Sequence, residues 1–123
     1  MSQYNTKDIG FDERSLITAD ILTGVDASQA VTINAKRGRV TSSTTTLAAD
    51  TVETITVTCA YSETTSTIIA NVRGGGAAAG ALSVNANPSA ANGSFTLSVR
   101  NNTSATAADA AYVVDFVIIN DNA

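Results

Sequence analysis

A side chain can run chemistry as a general base, a nucleophile or a metal ligand, and in this sequence carboxylates are the strongest candidates for such work. None of the 123 residues is His, which removes an imidazole base, a Ser-His-Asp arrangement and a His metal ligand. A single Cys, Cys59, cannot build a Cys-rich zinc site within one chain. Two carboxylates suffice for glycoside hydrolysis when held at the right separation. Asp50 and Glu53 flank the start of a strand-like segment, and Glu63 falls in a turn-like one. Glycosidase clefts are usually lined by aromatic rings, and three Phe, three Tyr and no Trp leave little to line one. The sequence therefore reads as a non-enzyme with no cofactor and no metal.

Four other places bear on function. Asp115 lies between Val114 and Phe116 in the most apolar segment. It reads either as an outward-facing charge that deters sheet-to-sheet pairing or as the partner of an arginine, Arg73 or Arg100, across strands or subunits. Gly74 to Gly80 looks like a phosphate-binding loop, but that chemistry needs a helix N-terminus directly after the glycines. Here Leu82-Ser83-Val84 reads as another strand, so a flexible tip is expected. Asn120-Asp121-Asn122 offers oxygens without the spacing of a calcium loop. Lys36, Arg37 and Arg39 around Gly38 read as a surface loop before a strand, or as a contact for an acidic partner.

The elements that must position these residues are strands. In Thr54-Ile55-Thr56-Val57-Thr58-Cys59 the apolar side chains fall on one face and three Thr on the other, the period of two that a half-buried strand requires. Cys59 then counts as a small buried hydrophobe. Residues 95–100 and 81–86 repeat the pattern. Residues 66–73 and 111–119 are more continuously apolar, which suits central strands or strands covered on both faces. Residues 31–34 and 39–42 bring the count to about seven, separated by turn formers such as Asn87-Pro88 and Asn92-Gly93. The predicted fold is an all-β antiparallel β-sandwich of jelly-roll or Ig-like type with an extended N-terminal arm.

Composition sets the boundaries. A chain this short has room for one domain, burying roughly 65% of its unfolded surface. Few bulky side chains imply a thin core, and small scaffolds without staples often gain stability from partner subunits. A net charge of -4 argues against a nucleic-acid partner. The start of the chain lacks the apolar core of a secretory signal, and no apolar run is long enough to span a bilayer. A soluble product made in the cytoplasm, with no membrane partner, is expected. Residues 1–30 interleave charges with the isolated apolar residues Ile9, Phe11, Leu16, Ile17, Ile21 and Leu22, and a short helix fits Asp12 to Leu16. Such an arm either orders on a partner surface, making these six the partner-binding residues, or packs on its own sandwich. The body is then 31–120 and the tail 121–123.

The body resembles a β-sandwich module of bacteriophage head-decoration (cement) proteins, also found in domains of phage tail fibres. The likeness is carried by Ile33-Asn34-Ala35-Lys36-Arg37-Gly38-Arg39-Val40-Thr41 and by Leu47-Ala48-Ala49-Asp50 leading into Thr54-Ile55-Thr56-Val57. Gly93-Ser94-Phe95-Thr96-Leu97-Ser98-Val99-Arg100-Asn101 and Ala107-Ala108-Asp109-Ala110 complete it. These are fold motifs and carry no chemistry. The resemblance implies a homotrimer on the virion's capsid surface, partnered by the major capsid protein. Its alternative is a tail-fibre or head-fibre attachment module that binds a host receptor or glycan through loops 74–80 and 87–92.

Overall fold

In the computed structural model, which describes residues 21–25 and 27–120, eight strands form two sheets of four. In chain order they are β1 (Leu22–Val25), β2 (Ala30–Thr32), β3 (Arg37–Thr41), β4 (Val52–Thr58), β5 (Thr67–Gly74), β6 (Leu82–Pro88), β7 (Ser94–Asn101) and β8 (Tyr112–Ile119). The sheets are ordered β1-β3-β8-β5 and β2-β4-β7-β6, and they pack face to face as a β-sandwich. From β3 onward every neighbouring pair within a sheet is antiparallel.

Period-two alternation decides which side chains fill the space between the sheets. Ile55 pairs with Leu97 and Val57 with Phe95, and all four are fully buried. The facing sheet supplies Val40, Val114, Phe116 and Ile118, all buried. Phe95 and Phe116 meet edge to face across the gap, centroids 4.9 Å apart at 66°, the arrangement that aromatic quadrupoles favour. Gly38, opposite Phe116 in the register, makes room for that ring: a Cβ there would lie 2.5 Å from Phe116 Cζ and 2.9 Å from Ile33 Cγ2. Cys59 is buried and directs its thiol at the Ala35 carbonyl, 3.3 Å away.

One strand, β1, falls within the stretch that reads from sequence as arm, whereas β2 overlaps the strand expected at 31–34. β1 pairs with β3 and β2 with β4, both in parallel, so two parallel pairs are added at the edges of an otherwise antiparallel sandwich. The alternation signal misses β1 because Leu22 and Val25 are three apart, with Gly24 between them. Gly24 lies close against the next strand, where a Cβ would come within 2.8 Å of Val31 Cγ2. Between β1 and β2 the chain turns through Ser28 and Gln29, both at positive φ, closed by reciprocal Ala27–Ala30 backbone bonds of 2.9 and 3.1 Å. Ile9, Phe11, Leu16, Ile17, the helix suggested at 12–16 and the 121–123 tail lie outside the described residues.

Two expectations change. Of the two continuously apolar segments β8 is central, whereas β5 is an edge strand that leaves Ile69 exposed. The glycine-rich segment is a tied turn rather than a flexible tip. Gly76–Ala78 forms one 3₁₀ turn with Ala78 buried, and the Ala77 amide donates to Asp109 Oδ1 at 2.8 Å.

The register makes sharp demands on substitution. Val57→Asp puts an unpaired charge between the sheets and should unfold the domain, whereas Thr56→Asp on the outer face should be mild. Equal tolerance in thermal melts would contradict the register. Gly38→Ala should cost about 1–3 kcal/mol in urea unfolding, because Phe116 must leave its rotamer or the strands must part.

Candidate functional site on the outer faces

The carboxylates read as a hydrolytic pair are committed to different partners. Asp50, in the left-handed region at φ 57°, pairs with Arg100. Glu53 sits half-buried near the start of β4. Its carboxylate accepts hydrogen bonds from the Tyr112 and Thr44 hydroxyls and from Gln29 Nε2 at 3.1 Å. It thus ties β4 of one sheet to β8 of the other. No group of three or more His, Cys, Asp or Glu among the described residues is placed to hold a metal ion. Asn120 accepts from the Ser66 hydroxyl and donates to the Tyr61 carbonyl at 3.0 Å, fastening the end of β8 to the loop before β5.

What the fold displays instead is two outer faces of contrasting chemistry. On the β1-β3-β8-β5 sheet, Asp115 faces out at the centre of a cross-strand row, opposite Arg39 on one side and Asn71 on the other. Arg39 grips it with two bonds, Nε to Oδ1 at 2.7 Å and Nη2 to Oδ2 at 3.2 Å. Arg73 Nη2 stands 3.5 Å from Oδ2. The Arg39 hydrogen bond is the largest cause holding Asp115 below the usual carboxylate range; partial burial opposes it, and the charges of Arg39, Arg73 and Arg37 reinforce it.

Of the two arginines that the sequence offers for Asp115, the structure brings Arg73 to it and gives Arg100 to Asp50. The main partner, Arg39, stands where the sequence reads a basic surface loop passing into the strand 39–42, and β3 in fact begins two residues earlier, at Arg37. The signal is present in the sequence, since Arg37, Arg39 and Thr41 alternate with Gly38 and Val40 along β3.

Aliphatic side chains surround this cluster. Val113 and Val117 flank Asp115 on β8, while Ile69, Ile119 and Val25 are 57%, 45% and 64% exposed. A hollow of about 200 Å³ opens here, lined by Ile21, Arg37, Ile69, Asn71, Asp115 and Val117 among others. Of the residues that the sequence assigns to partner binding, Ile21 lines this hollow and Leu22 is half exposed on β1, opposite Gly38.

The outer face of the β2-β4-β7-β6 sheet is made of hydroxyls and amides. Thr54, Thr56 and Thr58 on β4 stand beside Ser98, Thr96 and Ser94 on β7, and beyond them Asn85 and Asn87 on β6 pair with Ser98 and Thr96. Thr54 Oγ1 and Ser98 Oγ are 3.4 Å apart. Among the described residues, charge enters only at the end of this face, with Arg100 opposite Val52.

Because its folded pKa is lowered, Asp115 contributes stability that is present above its unfolded pKa and is lost as pH falls through the folded value. Urea unfolding should therefore find Asp115→Asn less sensitive to acid than the parent chain between about pH 5 and pH 2. Glu53→Ala should cost about 1–3 kcal/mol by removing the acceptor of several hydrogen bonds, and Glu53→Gln less. Comparison with protein-family models, with curated proteins and with solved structures gave no match to this chain.

Proposed function

We propose that this chain is a virion structural protein, a decoration or cement protein of a bacteriophage head, that stabilises the capsid by clamping adjacent coat subunits as a homotrimer. The observation that carries the reading is the broad hydroxyl and amide face of the β2-β4-β7-β6 sheet, free of charge over most of its extent. Such a face makes many weak contacts. Each hydrogen bond contributes a net of about 0.5–1.5 kcal/mol, waters bridge imperfect matches, and repetition over a symmetric lattice multiplies the effect. The structural commitment of Asp50 and Glu53 supports a non-enzymatic role. The tight turn at Gly76–Ala78, with Ala78 buried, offers less to a glycan than a free loop would. The decoration reading is favoured over the attachment reading on that ground.

Full-length protein mixed with phage heads lacking it should co-sediment with them. The double variant Thr56→Arg, Ser98→Arg should bind at least about tenfold more weakly, equivalent to roughly 1.4 kcal/mol, with an unchanged melting temperature. Parent protein that binds no heads would sink the decoration role; a variant that binds as well as the parent would remove this face from it.

A further inference from the structure

We propose that β5 is an assembly edge: two copies of this chain join their β1-β3-β8-β5 sheets by antiparallel pairing of β5 with β5 about a twofold axis, making one continuous sheet.

The direction of the main-chain groups identifies the edge. On β8 the Ile118 amide donates to the Lys36 carbonyl at 2.7 Å, and the Tyr112 carbonyl accepts from the Ser42 amide at 2.9 Å. Backbone groups alternate in direction along a strand, so Tyr112, Val114, Phe116 and Ile118 address β3, and Val113, Asp115, Val117 and Ile119 address β5. Through the register, Thr67, Ile69, Asn71 and Arg73 answer them. The N–H and C=O groups of Ile68, Ala70 and Val72 therefore face away from β8, where no strand among the described residues meets them. The other edges are blunted. β1 and β2 are four and three residues long, and β6 ends in Pro88, which has no N–H to offer. β5 runs eight residues without Pro, Lys or a bulge, and such an edge recruits another strand.

Self-complementarity selects a second copy. An antiparallel register centred on Ala70 sets Ala70 opposite Ala70 and Ile68 opposite Val72, the residues whose backbone groups face the edge. Between these pairs Ile69 meets Asn71 and Thr67 meets Arg73, so no like charges oppose one another. The two Arg73 side chains stand at opposite ends of the ribbon, about 20 Å apart, beyond a screening length of about 8 Å. The pairing also covers Ile69, which is 57% exposed, and shields Ile68, Ala70 and Val72, which pack on the core yet stay partly exposed in one copy. The inference is independent of the decoration reading. It uses an edge rather than the hydroxyl face, and a twofold contact links copies in pairs whether or not a threefold contact also gathers them.

Light scattering on the full chain at about 100 μM, roughly a hundredfold above a micromolar dissociation constant, should give an even multiple of the chain mass: two copies for the edge contact alone, six if trimers are paired. Ile69→Lys sets like charges diagonally across the axis and should halve that mass with an unchanged melting temperature. Ala70→Pro should do the same, because the amide it removes faces the edge, whereas Asn71→Pro should lower the melting temperature by removing a bond to β8. A monomeric or trimeric parent chain would overturn the contact, as would an Ile69→Lys protein that keeps the parent's even mass. Asn71→Pro melting at the parent's temperature would overturn the assignment of the edge.

Discussion

Phe116 points inward over Gly38 and meets Phe95 edge-on, and the period of two along β8 turns that one placement into the layout of a whole face. With Phe116, Val114 and Ile118 committed to the interior, Val113, Asp115, Val117 and Ile119 have no choice but to face outward. β8 lies between β3 and β5, so its outward residues sit at the middle of the sheet. The arginines of both neighbouring strands are thereby brought to one carboxylate. A slip of one residue would bury Asp115 and expose Phe116, which makes the aromatic contact and the ion-pair cluster two consequences of the same register.

The core between the sheets is thin, built mainly from Val, Ile and Leu with Phe95, Phe116 and Tyr112 as its bulky members. Side chains that bond to the backbone hold the ends of the sandwich. Asn101 is buried and donates to the carbonyls of Leu47 and Thr106 at 3.1 and 2.9 Å, while its oxygen accepts from the amide and hydroxyl of Thr103. Glu53 plays a similar part between the sheets through Tyr112. Polar groups that look available for chemistry in the sequence are thus used to satisfy one another where the strands end, as partly buried polar groups must be.

The two outer faces divide the remaining surface between different kinds of contact. On one face aliphatic side chains surround the Arg39–Asp115–Arg73 ion-pair cluster. Hydroxyls and amides without charge favour a wide, wet contact in which no single bond dominates. The two sheets thus present outer faces of different chemistry on one sandwich.

By itself the sequence determined the all-β sandwich, the inward face of β4 and β7, and the burial of Cys59. Each follows from alternation between neighbours, which is local information. It also contained the strand that carries Arg39, legible as 39–42, although the charges around Gly38 suggest a loop where β3 has already begun at Arg37. Only the tertiary structure decided that β5 lies at an edge, that β1 belongs to the sandwich, that Asp115 is gripped by Arg39, and that Asp50 and Glu53 serve different partners. These facts depend on which strands become neighbours. Strand order is fixed by contacts between residues far apart in the chain, such as Phe95 with Phe116 and Arg39 with Asp115, and periodicity along a single strand carries no record of them.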